Sequence, residues 1–252
     1  MIRAFILLIA FMTGIIYLSY SQDLVTDRPD QTESSSTVPA GSLQIESGMV
    51  LESITKDGIK EENIIFPTTL FRYGLLKNVE LRVLSQYESY SLNAENSDFS
   101  YDGFSDIEVG LKIRLLSSES LNTEIAILSH LVVPTGSEYL TNDDYATINK
   151  LAVSHTITEN IGLGYNLGYD HYGTGNGNFV YSVAFGFGLT PELGAFIEAY
   201  GELENMESNS ANFDTGITYL VKDNLQLDFS FGTGIEHNMN FLSLGFSWRI
   251  DN

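Results

Sequence analysis

Twelve stretches of this chain alternate with a period of two, and their charged residues stand in mid-stretch rather than at the ends. Ile107, Val109, Leu111, Ile113 and Leu115 alternate with Asp106, Glu108, Gly110, Lys112 and Arg114, and Val79, Leu81 and Val83 alternate with Glu80 and Arg82. The other stretches open near Leu43, Thr69, Glu124, Lys150, Ile161, Phe179, Leu193, Phe213, Leu225 and Leu242. A period of two puts successive side chains on opposite faces of a β-strand. A soluble sandwich would alternate as well. It would not set Glu80 with Arg82, or Lys112 with Arg114, opposite an unbroken apolar band. In a bilayer that band faces lipid and the charges face a wet lumen.

Connection lengths carry the same message. The links after the even stretches are short, at 76–78, 116–122, 158–160, 190–192 and 222–224, and those after odd stretches are longer, such as 88–103 and 134–147. Short turns at one end and long loops at the other are the outer-membrane barrel pattern, with the short turns periplasmic. Closure removes the sheet edge, whose unpaired backbone groups would cost several kcal/mol each in hydrocarbon. The expected fold is therefore all-β: a transmembrane antiparallel up-and-down β-barrel of about 12 strands. It follows a cleaved signal peptide and a short polar N-terminal segment, and both termini are periplasmic.

The leader reading rests on Arg3, the apolar run Ala4 to Leu18, and Ser19 and Ser21 at signal-peptidase spacing, with cleavage before Gln22. The run is shorter than the ~20 residues a membrane-spanning helix needs. The chain then divides into 1–21 (signal peptide), 22–41 (polar segment) and 42–252 (barrel). A formal charge of −21 with only 12 Lys plus Arg argues against nucleic acid as a partner, because phosphate binding needs clustered cations. With no Cys there is neither a disulfide framework nor a thiolate metal site. The partners expected instead are outer-membrane lipid, the barrel-insertion machinery and a small-molecule solute. The closing Ser243, Gly245, Trp248 and Ile250 resemble the signal that insertion machinery reads, although Asp251 and Asn252 follow the last apolar residue.

The residues expected to line the lumen or solute path are Glu46, Arg72, Glu80, Arg82, Glu108, Lys112, Arg114, Glu198, Asp228 and Arg249, together with Glu52, Asp214 and the in-phase aromatics Phe196 and Tyr200. Mixed charge of this kind suits a selective pore or a mutually neutralising network that seals a narrow barrel. Lumen-facing Gly162, Gly164 and Gly168 leave room for a solute or for another piece of chain. The outer connections carry fifteen Asp or Glu against two Lys, which reads as a solvated face, with no calcium-loop spacing among them. His130, His155, His171 and His237 lack metal-ligand spacing. Neither His130 nor His155 has the Ser two residues later that an outer-membrane phospholipase carries, so no catalytic residue, metal or cofactor is expected.

Thr26 to Ser34, then Val38-Pro39-Ala40-Gly41 and Leu43 to Gly48, resemble the opening of the outer-membrane transporter family named for the meta-pathway of phenol degradation. Later blocks, Phe71 to Leu75 with Glu80-Leu81-Arg82, Gly103 to Lys112, Val133 to Gly136 and Gln226-Leu227-Asp228, are similar to that family as well. The resemblance implies a barrel that passes small, often aromatic or hydrophobic compounds by passive diffusion. A sealed structural or interaction barrel with acidic surface loops is the alternative. Within the polar segment, Asp27, Arg28, Pro29, Asp30 and Glu33 are either part of a flexible linker or a plug whose charges meet Arg72, Arg82, Lys112 or Arg114.

Overall fold

The computed structural model describes residues 24–56, 58–94 and 97–251. The expected signal peptide lies outside them. The described residues form thirteen strands: β1 (Leu43–Lys56), β2 (Ile59–Leu76), β3 (Val79–Ala94), β4 (Ser97–Phe104), β5 (Ile107–Ser118), β6 (Thr123–Val133), β7 (Ala146–Thr158), β8 (Ile161–His171), β9 (Asn178–Gly188), β10 (Leu193–Glu204), β11 (Ser208–Lys222), β12 (Leu225–Gly234) and β13 (Asn238–Ile250). Every strand pairs antiparallel with its neighbours, β1 pairs with β13, and β2 pairs with β3, so the sheet is closed.

Thirteen strands make twelve staves. β4 pairs with the upper part of β3 (Tyr87↔Phe104) and β5 with its lower part (Leu84↔Glu108), so β4 and β5 form one stave broken at Ser105 and Asp106. The break is held on one side by the Ser105 N–H, which donates to the Gln86 carbonyl at 3.1 Å. On the other side Asp106 accepts from the backbone N–H groups of Thr135 (2.9 Å), Gly136 (2.8 Å) and Asn142 (2.9 Å), which folds the 134–145 connection against the stave.

The connection expected at 88–103 is mostly strand, and so is the 54–62 stretch between the first two expected strands. β1, β2 and β3 run 14, 18 and 16 residues, where a tilted strand crosses a bilayer in ~9–11. The surplus forms a fringe of paired hairpins beyond the membrane. There the apolar residues of β3 pass from the outer face, with Leu81 and Val83, to the inner one, with Tyr90 and Leu92, so the pattern of the membrane stretch is broken although the backbone ladder persists. Pro67 also hides the true start of β2. It falls in a register shift between Ile65 and Thr68, which is where a residue without an N–H can sit in a sheet.

The burial pattern is that of a membrane barrel turned inside out relative to a soluble core. On β13, Leu242, Leu244, Phe246, Trp248 and Ile250 are exposed, while Ser243, Ser247 and Arg249 between them are buried. The largest fully buried side chains are Arg72, Arg82, Lys112, Gln44, Glu46, Glu80, Glu198 and Asp214, all inside the barrel. No helix among the described residues is long and apolar enough to cross a membrane.

Candidate functional site in the barrel interior

Residues 24–42 do not trail outside the barrel. They run around the inside of the wall and touch the staves in turn. The Asp27 N–H donates to Glu46 on β1 (3.0 Å), and Arg28 pairs with Asp228 on β12 (2.9 Å) and donates to Ser243 on β13 (2.9 Å). The Gln31 N–H and the Thr32 hydroxyl donate to Glu198 on β10, and Thr32 also meets Ser182 on β9. Glu33 exchanges hydrogen bonds with Asn166 on β8 (2.7 and 3.0 Å), Ser35 meets Ser154 on β7, and Ser36 donates to Glu124 on β6. The Val38 N–H donates to Glu80 on β3. The circuit ends against β2, where the Gly41 N–H donates to the Gly74 carbonyl (2.7 Å) and the Gly74 N–H to the Ser42 carbonyl (3.0 Å).

Asp27 is the hub of this arrangement. Its carboxylate contacts Arg82 at 2.6 Å, Lys112 at 2.9 Å and Arg72 at 3.1 Å, and it accepts from the Ser34 N–H at 2.8 Å, which ties the segment to itself across seven residues. Glu33 adds a second carboxylate on Arg82 (2.8 Å) and Lys112 (3.4 Å). Arg72 is also held by Glu80 and Glu46, and Arg82 by Glu80 and by His130. His130 accepts from Arg82 Nε through Nε2 (2.9 Å), so its Nδ1 must carry the proton donated to Glu108 (2.7 Å). This histidine is therefore buried mid-strand as part of the wall network, not a strand-end or loop residue.

The segment's fit also depends on glycine. Gly48 and Gly245 face each other across β1 and β13 with the Arg28 guanidinium resting on both; a Cβ on either would lie 2.5 or 2.4 Å from Arg28 Nη2. Gly74 has the segment's own backbone against it, and a Cβ there would come within 2.0 Å of the Pro39 carbonyl oxygen.

The expected lumen residues separate into groups. Glu46, Arg72, Glu80, Arg82 and Lys112 form one network with Asp27 and Glu33, whereas Glu198 and Asp228 stand on the opposite wall with Asp214. Arg114 is lower, near the short turns. It meets Glu124 (3.5 Å) and Asn78, and among the described residues it makes no ion pair with the segment. Arg249 lies at the same end with Asp251 (2.8 Å). Pro29 is buried between its charged neighbours. Asp30 borders the chambers on both sides of the segment and makes no salt bridge among the described residues. Phe196 and Tyr200 do share the inner face with Glu198, while Ile197 between them is exposed. Asn166, Ser154, Ser182 and His130 were not distinguishable beforehand, because each is a polar residue on a polar face with nothing local to mark its partner.

The segment leaves space on both sides. Toward the short turns lies a chamber of 620 Å³, bordered by Ser35, Glu124, Ser154, His155, Gly164 and Phe196. Toward the long connections lie smaller chambers of 270 Å³ and 170 Å³. No group of three or more His, Asp or Glu among the described residues is placed to hold a metal ion.

A closed twelve-stave barrel with an apolar exterior and a charged interior defines an outer-membrane β-barrel. Within that class, residues 26–250 match the family described as "Putative MetA-pathway of phenol degradation", and the chain belongs to it. No curated protein matches the sequence. Among solved structures, the fold is similar to an outer membrane channel of Pseudomonas putida F1, with a TM-score of 0.67, 12% identity, and 85% of this chain and 97% of that one covered. It is also similar to the KdgM porin in complex with disordered oligogalacturonate, with a TM-score of 0.53, 11% identity, and 81% of this chain and 98% of that one covered.

Proposed function

We propose that the protein is a passive channel for small solutes across the outer membrane, without catalytic activity, and that residues 24–42 act as its plug. The observation that carries this is the division of a charged lumen into chambers on either side of the segment, whose contacts with the wall separate them. A sealed structural barrel would need no such chambers. The similar outer membrane channel and porin support transport over catalysis as the task of the fold. In this reading the short turns and both termini face the periplasm, so the segment enters the barrel from the side on which the exported chain arrives.

The test is single-channel conductance in planar bilayers for the mature chain and for a chain lacking residues 24–38. Small or rare openings for the first and larger, steadier ones for the second are expected. Silence from both folded proteins would overturn the channel and favour the sealed barrel. Equal conductance would sink the plug.

A further inference from the structure

The 270 Å³ chamber on the long-connection side of the segment has a wall chemistry of its own. Its lining includes four aliphatic side chains, Leu70, Leu84, Leu128 and Ile148, and three cations, Arg28, Arg82 and Lys150. Arg28 is committed to Asp228, and Arg82 to Asp27, Glu33 and Glu80. Lys150 makes no salt bridge among the described residues. It stands on the inner face of β7, opposite Leu128 on β6 and Gly168 on β8, and it borders the adjoining 170 Å³ chamber too. Asp170, on β8, lines that second chamber and attracts Lys150 only at longer range.

An ammonium that makes no salt bridge among the described residues, beside an aliphatic wall, is half of an amphipathic recognition site. Most carboxylates around the chamber are already engaged: Asp27 and Glu33 on Arg82 and Lys112, Glu46 on Arg72, and Glu108 on His130. Asp30, also in the lining, makes no salt bridge among the described residues. The segment itself shows what the wall cations accept, since two carboxylates sit on them at 2.6 to 3.4 Å. The volume lies below the ~300–1,000 Å³ of drug-sized pockets, so the occupant is small.

We infer that this chamber is a binding site for small carboxylates with an apolar body, its carboxylate on Lys150 and its body against Leu70, Leu84, Leu128 and Ile148. The inference rests on the channel reading for its purpose, but not for its measurement. Binding of benzoate, benzyl alcohol and benzylamine to the purified mature barrel in detergent is measured by calorimetry, and conductance is measured separately.

Benzoate should bind about tenfold or more tightly than benzyl alcohol, as expected for a hydrogen bond to a charged group. Lys150→Met should erase that preference and Lys150→Arg should retain it. Equal binding of benzoate and benzyl alcohol, tighter binding of benzylamine, or an unchanged preference in Lys150→Met would overturn the site. Carboxylate binding with no conductance would leave the site standing and remove only the channel. Conductance with no carboxylate preference would do the reverse.

Discussion

Replacing Asp27 by Ala should release the segment from the lumen without opening the barrel. The carboxylate has three cations within 3.1 Å and a backbone N–H at 2.8 Å, and its side chain is 3% exposed against 1%, 1% and 0% for Arg72, Arg82 and Lys112. Water screens such a cluster poorly. Removing one member of a buried charge pair costs about 3–5 kcal/mol. Here Arg72 and Arg82 keep Glu80, and Lys112 keeps Glu33, which places the loss at the low end, about 3 kcal/mol, or roughly a hundredfold in the docking equilibrium. The chain has no Cys, so Ser35→Cys introduces a unique label at a position that is 1% exposed. Its maleimide labelling rate in detergent should rise on the order of a hundredfold when Asp27→Ala is added, while the folded barrel keeps its heat-modifiable migration on gels. An unchanged rate with the barrel intact would show that the segment is held by its remaining contacts and that Asp27 is not its hub.

Three further outcomes follow from the same geometry. Gly245→Val should push Arg28 off Asp228 and enlarge the conductance of the full-length chain, with far less effect once residues 24–38 are deleted. Gly74→Val should displace the 38–42 stretch, seen as faster proteolysis between Pro39 and Ser42 in an otherwise resistant barrel. For Asp106, burial opposes ionisation, but the N–H groups of Asn142, Gly136 and Thr135 outweigh it and hold its carboxyl below the usual range. A lowered folded pKa means its stabilisation is complete above the usual carboxylate pKa and is lost as pH falls through the folded value. Amide-exchange protection at Thr135, Gly136 and Asn142 should accordingly decline with acidification, and in Asp106→Asn it should be low at every pH; protection unaffected by either change would refute the anchor.

The apolar-out, charge-in alternation and the alternating turn lengths were readable directly, because lipid imposes a period of two on every strand that crosses it. Ile107 to Leu115 and Leu242 to Ile250 needed nothing but their own order to declare which face was which. The fringe was illegible for the converse reason. Beyond the membrane the apolar residues change face: in 88–103, Tyr90, Leu92, Phe99 and Tyr101 lie on the side that carries Glu80 and Arg82 lower on β3, and the strand character comes from partners in register. The split stave at Ser105 and Asp106 is likewise a tertiary feature, since only the fold brings Thr135, Gly136 and Asn142 to that carboxylate.

The polar stretch from Asp27 to Glu33 marks the boundary between the two kinds of knowledge. Its composition is equally that of a solvated linker, and its one cation, Arg28, cannot neutralise the three carboxylates of Asp27, Asp30 and Glu33. Only closure of the barrel brings Arg72, Arg82 and Lys112 from three staves onto one carboxylate, sets Gly48 against Gly245 to admit Arg28, and leaves Lys150 without a salt bridge on the far side. The local pattern of the chain determined that a barrel forms and which side chains face inward. Which inward charges meet was decided by the order of the staves and the path of the segment between them, because the segment's ion pairs with the wall join residues separated by 45 to 200 positions.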